Sequence, residues 1–203
     1  MNLHDFIRSR RSYRSFDPGS IPRKVLERII TTATWAPSAH NRQPWRFVVL
    51  TSPETKARLA SAMGEQFYQE LLKDGFSLVE VEKRVKRSRS RIESAPAAIL
   101  LCLDPQQVDI VPGEGRQDLE IQMAVQSVAL AGGTLLLAAH AEGLGGVWLC
   151  APLFARKVVQ DTLSLPADWQ PQALLLFGYP PHEEQELPER TRRPLDEVAL
   201  FLD

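Results

Sequence analysis

One segment limits the fold more than any other. From Asp118 to Ala141 the chain is apolar on nearly every side of a helical wheel, with Met123 to Ala141 broken only by Gln126, Ser127, Thr134, His140 and the glycines 132 and 133. A membrane span wants about 18 or more apolar residues with fewer interruptions. A helix that is apolar all round belongs in the centre of a core or in a subunit interface. Gly143-Leu144-Gly145-Gly146 follows and predicts its end, glycine being favoured just past a helix.

The other elements must pack around that helix. Ala97 to Leu103 is a continuous apolar run between Pro96 and Pro105, which predicts a buried strand. Further strands are expected at 46–50, 147–150 and 173–178. Helices are expected at 2–11 with Asn2 as cap, from Pro22 to Ala33, over 54–73 with a break near Gly64, at 77–92, and at 154–162. Helix between each pair of strands predicts an α+β fold, a mixed β-sheet flanked by helices on both faces. The 203 residues are expected to form a single domain. Residues 181–203 are too poor in apolar side chains to fold alone, and are expected as a C-terminal extension on a second subunit.

With 24 basic and 25 acidic residues, the net charge of −1 argues against a nucleic-acid binder or an anionic-membrane binder. Residues 1–11 hold scattered charge and no apolar stretch, unlike a signal peptide, so a cytoplasmic location is expected. Cys102 and Cys150 sit in apolar runs and read as buried free thiols. His4, His40, His140 and His182 share no ligand spacing with cysteine or carboxylates, so no metal site is expected. His140 reads as a satisfied core or interface residue, while His40 is open as a substrate-pocket residue.

Local chemistry concentrates in two segments. Arg10-Arg11-Ser12-Tyr13-Arg14-Ser15-Phe16 places planar guanidinium donors and a hydroxyl where a short helix ends. Such groups match a phosphate monoester. An extended backbone would aim Arg10, Ser12 and Arg14 the same way. Pro37-Ser38-Ala39-His40-Asn41-Arg42-Gln43-Pro44-Trp45 is a polar turn entering a strand, with Ser38, Asn41 and Gln43 as directional donors and acceptors. On residues alone the first segment reads equally as a solvated cluster, and the second as an Asx-type turn. The helix near 77–92 mixes Lys83, Arg84, Lys86, Arg87, Arg89 and Arg91 with glutamates. It reads as a solvated face with i, i+4 pairs or as a guard of cations over an anionic substrate.

Taken together, R-R-S-x-R-x-F followed by A-P-S-x-x-N-x-Q-P-W resembles the FMN-dependent nitroreductase superfamily. Gly143-Leu144-Gly145-Gly146-Val147-Trp148, Leu174 to Pro180, and Arg190-Thr191-Arg192-Arg193-Pro194-Leu195 resemble its later motifs, in order. Segments 75–91 and 143–171 also resemble the FMN-binding domain fused to the glutamate ligase of deazaflavin-coenzyme biosynthesis. The resemblance implies a nitroreductase-like fold in an intertwined homodimer with FMN at the subunit interface. It implies that Arg10, Arg11 and Ser12 hold the phosphate, with Arg190 and Arg192 adding charge, and that Arg14 reaches the flavin ring. Ser38, Asn41 and Gln43 would serve the partner's cofactor, and backbone near Gly145 and Gly146 would face the ring. Ala39 stands where many members carry a second serine.

The implied activity is hydride transfer from NADH or NADPH through FMN to a nitroaromatic, quinone or related conjugated acceptor. The alternative is FMN-dependent reduction of a dehydro precursor in deazaflavin-coenzyme biosynthesis. No side-chain acid or base is required, so no catalytic residue is expected. A flavin-storage module and a helical adaptor docking through 77–93 are the readings from other classes.

Overall fold

The computed structural model describes residues 2–113, 115–181 and 190–202. Four strands, β1 (Trp45–Leu50), β2 (Ala97–Leu103), β3 (Gly145–Leu149) and β4 (Gln170–Gly178), form one sheet in the order β1-β2-β4-β3. All seven residues of β2 are buried, as its unbroken apolar run requires. Alternation splits them between two cores. Ala97, Ile99, Leu101 and Leu103 face α2 (Arg23–Ala33) and α5 (Arg116–Ala141). Ala98, Leu100 and Cys102 face α3 (Pro53–Lys73), α4 (Leu78–Ser94) and α6 (Arg156–Leu163). The outer helices are α1 (Leu3–Ser9) and α7 (Leu195–Val198).

The expected mixed sheet needs qualification. All three strand pairings are antiparallel. Among the described residues the parallel component is one bridge, Ser12 to Gly146, at the outer edge of β3. Long helical connections permit either direction, so helices between strands do not decide it. Pro171 lies inside β4, where the β2 register shifts between Leu101 and Cys102. That stretch of β4 lies beyond its pairing with β3, which spans 174–178, so the missing donor is tolerated as at an edge.

Other boundaries shift for local reasons. The helix α3 runs unbroken through Gly64, because a Cβ there would meet Arg89 Cδ of α4 at 2.8 Å. Glycine at 64 therefore serves helix contact, not a kink. Pro22 is the N-cap of α2, one residue before its first turn. Ser77 caps α4 in a reciprocal capping box with Glu80. The helix α5 ends in a Schellman motif: Gly143 (φ 74°) donates to His140 O at 3.1 Å, and Leu144 to Ala139 O at 2.9 Å. Only Gly143 is part of that end; Gly145 and Gly146 already belong to β3. Cys102 is buried, and desolvation pushes its thiol pKa up to about 12. Cys150, expected to be buried, is exposed, because β3 stops at Leu149 and the chain turns at Cys150.

The helix α5 is long and apolar enough to cross a membrane by composition. Ala124, Val128, Ala131, Leu135, Ala138 and Ala139 of that helix are buried on the sheet, whereas Leu119, Val125 and Leu130 are exposed. Leu3 and Ile7 of α1 are likewise exposed, and α1 buries no residue.

Candidate functional site

Two half-sites lie along α5, one by its C-terminal turn and one near its middle. The first is built on the edge of β3. After α1 ends, Arg10 turns extended, and Ser12 bridges Gly146 while Tyr13 donates its N–H to Gly146 O at 3.3 Å. Asp17 N–H then donates to Tyr179 O at 3.0 Å, which fixes residues 12–17 along the end of the sheet. Glycine is needed at 145 and 146 for packing: a Cβ at 145 would lie 2.8 Å from Tyr13 Cδ2, and at 146, 2.9 Å from Phe177 Cε1. Both glycines are buried.

Cations gather over this edge. Arg190 donates to Arg10 O at 2.5 Å and to Arg8 O, tying the C-terminal segment across the end of α1. Its pKa is lowered, first by desolvation and then by Arg11, Arg192 and Arg10. Arg10 reaches Arg11 O at 3.5 Å, and Arg192 reaches Thr191 O at 2.8 Å. Four predicted phosphate ligands, Arg10, Arg11, Arg190 and Arg192, therefore share one field. Nearby, His140 Nε2 lies 2.8 Å from Ser9 Oγ and its ring packs on Phe6. Burial, then Arg10, lowers the His140 pKa. Arg14 is exposed, and with Arg87 it presses on Arg91 of α4, whose pKa burial lowers first. Sequence reasoning did not connect Arg91 to Arg14, since only tertiary packing brings α4 to residues 12–16.

The second half-site is the turn before β1. His40 (φ 51°), Asn41 (φ 53°) and Gln43 (φ 50°) all hold the left-handed conformation. Strain of this kind costs about 1–3 kcal/mol per residue and persists only where neighbours enforce it. Here Ala39 N–H donates to Ser127 Oγ of α5 at 3.2 Å, Gln43 N–H to Ser38 Oγ at 3.1 Å, and Arg42 pairs with Asp109 at 2.5 Å. Gln43 Nε2 donates to Asn41 Oδ1 at 3.4 Å. Asn41 and Gln43 are exposed, and Ser38 is half-buried. Ser127 and His140, which mark the two half-sites, stand 13 residues apart on α5, about 20 Å along its axis. The single chain thus does not bring Ser38, Asn41 and Gln43 to the arginines.

Comparison with known proteins decides the class. Residues 7–179 match the model of the nitroreductase family. The chain belongs to the nitroreductase family. It is 30% identical over 205 residues to an iodotyrosine deiodinase of Haliscomenobacter hydrossis, covering 98% of this chain and 87% of that protein. It is 27% identical over 182 residues to an NADH dehydrogenase/NAD(P)H nitroreductase of Methanothermobacter thermautotrophicus, covering 89% of this chain and 78% of the relative. Among solved structures it resembles a Desulfovibrio desulfuricans nitroreductase in complex with FMN, at TM-score 0.74 and 25% identity, covering 100% of this chain and 98% of the other. A nitroreductase-like fold and an oxidoreductase of this family are thereby established, and FMN is the cofactor to test against the residues present.

The residues fit that cofactor. A phosphate dianion would relieve the like-charge pressure that Arg10, Arg11 and Arg192 place on Arg190. Ser12 and the backbone of β3 form a rigid edge beside them. The turn at 38–43 offers a second polar surface from elsewhere on the fold.

Proposed function

We propose that this chain is an FMN-dependent oxidoreductase that works as a homodimer, drawing hydride from NADH or NADPH and delivering it to a nitroaromatic, quinone or related conjugated acceptor. The observation that carries the dimer is the separation of the two half-sites along α5. A two-fold axis that covers the exposed Leu119, Val125 and Leu130 would set one chain's turn against its partner's arginines. The exposed Leu3 and Ile7 of α1, and Leu200, Phe201 and Leu202 of the C-terminal extension, add apolar surface for the same interface.

FMN, when bound, supplies a ring that accepts and donates hydride. The chain's own residues do the rest. Arg10, Arg11, Arg190 and Arg192 hold the phosphate, with Ser12 adding a hydroxyl. Arg14, backed by the positive field of Arg91 and Arg87, favours negative charge at the ring edge, where a fixed cation assists reduction. Ser38, Asn41 and Gln43 fix orientation from the partner. No side-chain acid is assigned. The deiodinase relatives favour a second reading, in which the acceptor is a halogenated aromatic that releases halide.

The test uses the untagged chain loaded with FMN. Under anaerobic conditions NADH or NADPH should bleach the flavin, and added nitroaromatic, quinone or halotyrosine should restore the colour. Protein that stays monomeric and binds no FMN would refute the proposal. Recolouring by halotyrosine alone, with halide released, would replace the first acceptor class by the second.

A further inference from the structure

The turn that carries His40 meets two acidic residues from distant parts of the chain. Ligand atoms of His40, Asp109 and Glu120 all lie within 4.8 Å of one another. They border a cavity of about 10 Å³, also lined by Arg42, Gln107 and Ser127. That volume holds one water or one small ion. Among the described residues the side chains of His40 and Glu120 make no hydrogen bond or ion pair, although Glu120 is half-buried. The cavity thus collects an imidazole and a carboxylate without partners, plus a second carboxylate.

We propose that His40, Asp109 and Glu120 form a site for a divalent first-row cation, of the zinc or manganese kind. One nitrogen and two carboxylates suit such ions better than calcium or magnesium, which favour oxygen-only shells. Bonds of about 2.0–2.2 Å in a tetrahedral shell put its ligand atoms roughly 3.3–3.6 Å apart, so side-chain shifts of about 1 Å close the shell. Three protein ligands leave the remaining positions to water.

The ligand backbones are braced in advance. Ala39, beside His40, is tied to Ser127 of α5. Gln117 of α5 donates to Asp109 O and accepts from Val111 N–H, both at 3.2 Å, which staples the Asp109 loop to the helix that carries Glu120. Arg42 holds both Asp109 oxygens, through Nε at 3.0 Å and Nη2 at 2.5 Å. Arg42 and the cation therefore compete for Asp109, and the ion would pin the strained turn from the inside. The site uses none of the residues assigned to FMN.

The experiment is calorimetric titration of zinc chloride, then manganese chloride, into the untagged, chelator-treated, FMN-loaded protein. One ion per chain should bind. Two variants keep the fold: Glu120→Gln is isosteric, and His40→Gly suits the left-handed φ at 40. Each should weaken binding by more than the roughly 10–100-fold typical of losing an outer partner, while His4→Ala leaves it unchanged. Arg42→Gln should tighten binding by freeing Asp109. Absence of saturable binding, or affinity equal to the parent's in both ligand variants, would overturn the site. Unchanged or weaker affinity in Arg42→Gln would remove Asp109 and with it the three-residue shell.

Discussion

Ser127→Ala measures how firmly the turn at residues 38–43 is attached to the rest of the fold. Ser127 is 2% exposed and sits in α5. Its Oγ accepts from Ala39 N–H at 3.2 Å and donates to Met123 O at 2.8 Å. Met123 O can rely on its helical partner, so the loss falls on Ala39. Ala39 is half-buried, so leaving its N–H without this partner costs at most the roughly 1–3 kcal/mol of a buried unpaired donor. Alanine returns about 0.5 kcal/mol of helix propensity over serine. The net expectation is a loss of about 0.5–2.5 kcal/mol. With a urea m-value of about 2–3 kcal/mol/M for a chain of this size, the unfolding midpoint should fall by roughly 0.2–1.2 M. Protein concentration must be held fixed, since the proposed dimer would contribute to stability. The freed turn should also relax from its left-handed strain, so FMN fluorescence titration should show weaker binding in the same variant. Stability equal to or above the parent, with unchanged FMN affinity, would refute the claim that this bond anchors the turn.

Arg10→Ala should weaken FMN binding by about 1.5–3 kcal/mol, the scale of one hydrogen bond to a charged group, with the loss shrinking as salt rises; equilibrium dialysis at two ionic strengths checks both. Gly146→Ala places a methyl 2.9 Å from Phe177 Cε1 and 3.0 Å from Leu136 Cδ2. It should cost about 1–3 kcal/mol by overpacking, read as a lower urea midpoint. Lys56 is 4% exposed and donates to Ala95 O and Pro96 O at the end of α4, and desolvation lowers its pKa. Between that depressed value and the ordinary 10.5 the unfolded chain holds more protons, so this group adds stability as pH rises through the window. Lys56→Met should remove that slope from the difference in unfolding midpoints. Truncation after Pro180 removes Arg190 and the apolar residues 200–202; sedimentation should show loss of the dimer and of retained flavin.

Periodicity and composition were enough for the four strands, the long helix and two core faces. A run such as Ala97–Leu103 has no polar residue to place on a wet face, so it must be central. The charge content of residues 10–14 and the donors of 38–43 were visible for the same reason: their chemistry is local. What linear order could not contain was proximity. Strand direction was open because a long helical connection permits both. Gly64 looked like a break and admits Arg89 of the neighbouring helix instead, and the glycines at 145 and 146 leave room for Tyr13 and Phe177, which no local pattern shows. Arg91 meets Arg14 only because α4 packs near residues 12–16, and His40 meets Asp109 and Glu120 only because the turn before β1 and the loop after β2 are both tied to α5. Local sequence sets which groups exist and what they can bind; the packing of α5 against the sheet sets which of them meet, because burying that apolar helix determines where both of its ends lie.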